Sequence, residues 1–202
     1  LDSRHFVEPM FVFVIMVIAA SRPVMQLARD LVGGAARALP FHPAVAGYFL
    51  SLGLVPLLGS FITEPAAMTL AALMLRDRVF SAGVSNRLKY ATLGVLFVNV
   101  SVGGTLTNFA APPVLMIAAK WEWTTGFMLS MFGAKAILAV MINSFAVTCL
   151  FRRELIEKAA RTTRVEQQRV PVLFDAMNAV LLTAVVLTNH HREAFIGLFL
   201  MF

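Results

Sequence analysis

The stretch 59-GSFITEPAA-67 recurs 44 residues later as 103-GGTLTNFAA-111, with four of the nine positions identical. Both copies interrupt long apolar runs, and where the first carries Glu64 the second carries Asn108. A carboxylate at the centre of a membrane helix costs roughly 2.5–3.5 kcal/mol, so such groups are rare and mark functional sites by default. The backbone is costly there too. Amide and carbonyl groups that leave helical geometry at membrane depth persist only where protein packs over them or a hydrated cavity receives them. Gly59, Gly103 and Gly104 permit such a break, and Pro65, Pro112 and Pro113 suit the first turn of the helix that restarts after it. The freed carbonyls and the Thr and Asn oxygens suit a cation, and the restarted helix N-termini suit an anion.

The rest of the sequence sets these breaks in a membrane. The chain has 202 residues, 59% of them hydrophobic and 14% charged, with a mean hydropathy of +0.79. Its apolar residues come in blocks of the length a bilayer needs, roughly 20 residues per helix. An all-α, polytopic membrane protein is expected. Residues 6–20 read as a first span and 23–38 as an amphipathic helix at the interface, ended by Pro40 and Pro43. Residues 44–58 and 66–75 read as the arms of a re-entrant hairpin around the first break. Residues 90–120 form a discontinuous helix around the second, and 121-WEW-123 an interfacial anchor. The longest uninterrupted span is 125–151, followed by a basic connector at 152–171, a span at 172–188 and a further apolar run.

Charge orients these elements. If the hairpin enters and leaves on one face, segments 21–43, 76–89 and 152–171 share a side with 13 of the 17 Lys and Arg residues. Arg4, Lys120 and Arg192 fall on the other side and Lys135 within a span. The positive-inside rule makes the first side cytoplasmic. A hairpin that crossed fully would blur the split. The +6 net charge is therefore explained by topology, and no nucleic-acid partner is expected. The one cysteine, Cys149, falls in a span, which excludes a disulfide framework and a cysteine metal site. No small-residue cleavage site follows the first apolar block, and no phosphate-binding Gly-x-x-x-x-Gly-Lys loop is present. An enzyme is not expected.

The order of amphipathic helix, hairpin with a polar tip, broken helix and long helix resembles the ion transporter superfamily. GGTLTNFAAPPVLMIA is similar to its GG-x-x-T-x-x-x-x-PP segment, and SFITEPAAMT sits at the hairpin-tip motif, nearest to the sodium/proton antiporter branch. The tip departs from many relatives in carrying Thr-Glu-Pro where an Asp-Asn or Ser-Asn-Thr pattern is usual. The resemblance implies one repeat of an inverted-repeat transporter over residues 1–151, a cytoplasmic connector at 152–171, and the start of a following membrane region at 172–202, cut short. It implies an ion site made by Thr63, Glu64 and Thr69 at the tip and Gly103, Gly104, Thr105, Thr107 and Asn108 at the break. Oxygen ligands of this kind suit sodium or a proton, so no cofactor is expected beyond a bound sodium ion.

The expected activity is sodium/proton antiport across the cytoplasmic membrane of a bacterium, by a multi-pass protein compatible with a homodimer. Two other readings stay open: an anion transporter of the dicarboxylate or arsenite type, and a non-transporting membrane subunit. Lys135 is a candidate counter-charge, to Glu64 or to an anion. Asn143 and Ser144 read as contacts between helices. His5, Glu8, His190, His191 and Glu193 read as ordinary polar groups at span ends, and Asp175 and Asn178 as capping or packing groups.

Overall fold

A computed structural model of the protein describes residues 21–159 and 192–200, together with positions 13, 14, 17, 177, 180, 181 and 184. The expected span at 6–20, most of the one at 172–188 and the connector beyond Ala159 lie outside the described residues. So do the side chains of His5, Glu8, Asp175, Asn178, His190, His191 and Glu193. Every regular element among the described residues is helical.

Helix α1 (Arg22–Ala38) opens with Pro23 in its first turn and ends just ahead of Pro40. Its spacing is amphipathic: Ala28 and Val32 are buried one turn apart, while Asp30, Gly34 and Arg37 are exposed. It packs against α2 (Pro43–Leu52), which leads through Gly53 into α3 (Leu54–Ile62). Together Pro43–Ile62 make a 20-residue segment long and apolar enough to cross a membrane. The chain then reverses at one residue, Thr63, and returns as α4 (Glu64–Arg78).

This helical hairpin differs from its sequence reading in where it breaks. The interruption was expected across 59–65, but helix persists to Ile62 and Thr63 alone carries the reversal. Gly59 stays helical and serves packing instead. A Cβ there would lie 3.0 Å from the Cβ of Ala67, so glycine lets α3 and α4 lie close together.

Beyond α4, a 3-10 turn (Phe80–Ala82) and the left-handed Gly83 lead to Ser85. Its hydroxyl accepts from the Leu88 amide at 3.2 Å and caps α5 (Asn86–Gly103). A 3-10 turn (Gly104–Leu106) and extended backbone follow, and Pro112 starts α6 (Pro112–Lys120). Helix α7 (Thr125–Met128), a π-helical turn (Leu129–Gly133) and α8 (Ala134–Ala159) then run on as one rod. Thr125–Lys158 is the second segment long and apolar enough to cross a membrane, at 34 residues. At 1.5 Å per residue it exceeds a hydrocarbon core of about 30 Å. Helix therefore continues past 151 into the segment read as connector, where Arg152, Arg153, Glu154 and Lys158 are all good helix formers. Helix α9 (Arg192–Leu200) meets the N-terminal region where Phe199 and Phe13 pair edge to face.

The core lies where α2, α4 and α5 meet, around the fully buried Tyr48, Leu52, Leu70, Leu75, Leu88 and Leu96. The Tyr48 hydroxyl is 2.7 Å from Thr92 Oγ1 across that core. At one end, the Glu154 carboxylate accepts from both the amide and the hydroxyl of Ser85. That contact sets the charged segment 76–89 beside the basic end of α8.

A second polar contact holds the hairpin's first arm. Pro56 has no N–H, so the carbonyl of Leu52, four residues back, loses its helical partner. Asn99 of α5 supplies the missing donor, its Nδ2 lying 2.8 Å from Leu52 O and 2.9 Å from Ser144 Oγ. Asn143 donates in turn to Asn99 Oδ1 at 3.1 Å. Asn143 and Ser144 thus join helices, as their sequence context suggests.

Candidate functional site

The two copies of the repeated stretch lie side by side. Ser60 ties them together: its hydroxyl donates to the Gly103 carbonyl and accepts from the Leu106 amide at 3.0 Å. The Ser60 carbonyl accepts from Thr107 Oγ1 at 2.7 Å. Four residues on, the Glu64 amide donates to the Ala110 carbonyl at 3.1 Å. The contacts advance together along both stretches, so the break after α5 is packed by the hairpin tip. Gly103 is required by this approach. A Cβ there would overlap the Pro56 carbonyl oxygen and sit 2.7 Å from its carbon.

Thr63 is the most constrained residue of the tip. Its φ of 77° and ψ of 151° fall in a region that L-residues avoid and glycine tolerates. The side chain is wholly buried, and its hydroxyl has no hydrogen-bond partner among the described residues. A buried hydroxyl without a partner costs about 1–3 kcal/mol. Strain and an unmet oxygen coincide at one residue, and such outliers cluster at functional sites.

Glu64 is the first residue of α4, half-buried, with Oε1 accepting from Ser101 Oγ at 2.9 Å. Gly104 faces it: a Cβ on Gly104 would lie 3.7 Å from the Cβ of Glu64. Thr63, Glu64, Gly103, Gly104 and Thr107 are therefore brought together. The other residues expected at the site behave differently. Thr69 is exposed on α4 and donates back to the Pro65 carbonyl at 3.0 Å. Thr105 turns back to the Val102 carbonyl at 2.7 Å. Asn108 spends both ends of its amide on the turn before α7, donating to Trp123 O at 3.0 Å and accepting from Thr125 Oγ1 at 2.8 Å. It anchors the aromatic segment, where Trp121, Trp123, Phe127 and Phe132 cluster. Lys135 is exposed near the start of α8, and no ion pair joins it to Glu64 among the described residues.

Three residues of the assembly were not anticipated from sequence. Ser60 and Ser101 lie within or beside the repeated stretch, and a serine in an apolar helix gives no sign of which neighbour it will meet. Asn99 had a usable signal: an amide in the middle of an apolar helix, with a proline inside the helix before it.

Two helical segments are long and apolar enough to cross a bilayer, and the first ends where the strained Thr63 meets Glu64, an arrangement in keeping with a membrane protein. The chain belongs to the family described as putative Na+/H+ antiporter, whose model matches residues 1–202. The match runs beyond residue 151, where the sequence resemblance was confined to one repeat. No curated protein and no solved structure matches the chain.

Proposed function

We infer that the chain exchanges sodium for protons across the cytoplasmic membrane, with Glu64 as the group that holds either ion. The observation that carries this reading is the tip itself. Glu64 follows Thr63, whose buried hydroxyl has no partner, and the Glu64 amide is bonded to the break at Ala110. Carboxylate and hydroxyl oxygens are ligands a hard monovalent cation takes. A proton on Glu64 removes the charge that attracts sodium, and sodium on Glu64 excludes the proton. Two ions competing for one carboxylate give exchange and not joint passage.

The anion reading is weakened by the same geometry. The N-terminus of α4 would favour an anion, but Glu64 already sets a carboxylate there. For topology, the reading takes the hairpin as re-entrant, with Pro43 and Arg78 at the cytoplasmic face. The charge partition supports this, and so does the Ser85–Glu154 contact, which gathers two of the basic segments at one end.

The test is Glu64→Gln, which keeps shape and hydrogen bonding but cannot exchange a proton. Sodium-driven proton release from vesicles should be abolished while insertion is retained, and Glu64→Asp should keep part of the activity. Unchanged exchange in the Gln variant would remove Glu64 from the mechanism.

A further inference from the structure

We propose that Ser101 is a ligand of the transported cation and sets which cation is preferred, an inference that rests on Glu64 being the exchange site. Nothing in the sequence singled Ser101 out. It stands two residues before the break, outside the stretch that resembles the tip.

The first observation is where its hydroxyl goes. Small hydroxyl side chains in helices ordinarily bond back to their own backbone. Ser51, Thr69, Thr92 and Ser144 all do so here, each donating to the carbonyl four residues earlier. Ser101 does not. Its hydroxyl crosses from α5 to the hairpin tip and donates to Glu64 Oε1 at 2.9 Å.

The second observation is the company it keeps. Thr63, one residue before Glu64, has a fully buried hydroxyl with no partner among the described residues, so an engaged hydroxyl and an unengaged one belong to the same tip. Ser101 is exposed and Glu64 half-buried, whereas Thr63 is wholly buried, and on this proposal the pair lines a hydrated path to the tip. Two oxygens 2.9 Å apart can both touch a cation at about 2.4 Å without either residue moving. The Ser101 hydrogen then turns away, and the hydroxyl presents a lone pair beside the carboxylate. In the ion-free state the same hydroxyl holds the carboxylate in the binding orientation.

Number and spacing of oxygens, more than charge, separate one alkali cation from another. A residue that only supported the fold would affect every cation alike. A ligand changes their ratio.

The experiment measures exchange by the intact protein in vesicles, with sodium, lithium and potassium as separate driving ions. Ser101→Ala, Ser101→Thr and Glu64→Gln are compared with the parent. For Ser101→Ala the KM for sodium should rise about tenfold, the effect of one lost polar contact. The KM for lithium should rise less, because a smaller ion is satisfied by fewer oxygens. Ser101→Thr should restore both values. If Ser101→Ala fails to reach the membrane, Ser101→Cys carries the test, since it keeps the volume and exchanges a hard oxygen for soft sulfur. An unchanged sodium-to-lithium KM ratio, or an equal loss of kcat for all three ions, overturns the inference. Glu64→Gln separates the two ideas. If it is inactive while Ser101→Ala keeps the parent ratio, only the role of Ser101 falls. If it still exchanges sodium, the exchange site itself is wrong.

Discussion

Asn99 donates through Nδ2 to the carbonyl of Leu52 at 2.8 Å, in the place of the amide that Pro56 lacks. One helix repairs the backbone of another, and the kinked arm that carries the tip is held by a side chain 47 residues away in sequence. The repair and the proline should therefore be coupled. Asn99→Ala should destabilise the protein by about 1–2 kcal/mol, the range for a buried interhelical contact. In a Pro56→Ala background, which returns the amide, the same substitution should cost measurably less. Reversible unfolding in mixed micelles of the two single variants and the double variant measures the difference. Additive effects would mean that Asn99 acts through Ser144 and Asn143 alone.

Two glycines on α5 should respond in opposite ways to alanine. At Gly103 the new methyl would meet the backbone of Pro56, which cannot yield as a side chain can. A loss of several kcal/mol, on the order of an overpacked core, is expected, with poor recovery of folded protein. At Gly94 nothing lies within 4 Å among the described residues, and alanine should stabilise by up to about 1 kcal/mol through helix propensity. Folded yield and thermal midpoint in detergent, measured for both, check the contrast.

Thr63 should show a conflict between stability and activity. Thr63→Ala keeps the unfavourable φ of 77° and loses the hydroxyl. Thr63→Gly loses the hydroxyl and releases the strain. The glycine variant should be the more stable of the two by about 1 kcal/mol or more, since strain at such positions costs roughly 1–3 kcal/mol. Exchange should fall in both. Equal stability would show that the turn carries no strain, and full activity in either would remove the hydroxyl from the site.

The topology is open to labelling. With Cys149 replaced by serine, single cysteines at Ser81 and at Glu122 should react with an impermeant maleimide from opposite sides, Ser81 from the cytoplasm. Ser81 follows the hairpin, and Glu122 lies in the turn between α6 and α7. Reaction of Ser81 from outside would contradict the re-entrant hairpin, because the charge partition depends on it, and reaction of both from one side would contradict a crossing between Asn86 and Lys120.

Much of this architecture was legible in the residues. Apolar blocks of bilayer length gave an all-helical membrane protein, and prolines marked the restarts at Pro65 and Pro112 because proline is favoured in a helix's first turn. The amphipathic helix read over 23–38 and the broken α5 were readable from periodicity and interruption, and the hairpin from the charge partition besides. That the two repeated stretches meet was implied by the family resemblance; the cost of exposed backbone at membrane depth requires only that each break be covered.

What the sequence determined by itself was therefore the set of elements and the need for the two breaks to be covered, since both follow from local geometry and the solvent. What only the tertiary structure decided was which polar atom meets which. Asn108 and Glu64 hold matching positions in the two copies, yet Asn108 is spent on Trp123 and Thr125 while Glu64 turns to Ser101. Gly59 looks like a backbone break and is a packing contact with Ala67. Thr63 looks like one threonine among several, and its strain and unmet hydroxyl exist only once α3 and α4 close on each other. A hydrogen bond between helices depends on rotation and depth set by the packing of many side chains, which no short stretch of sequence encodes.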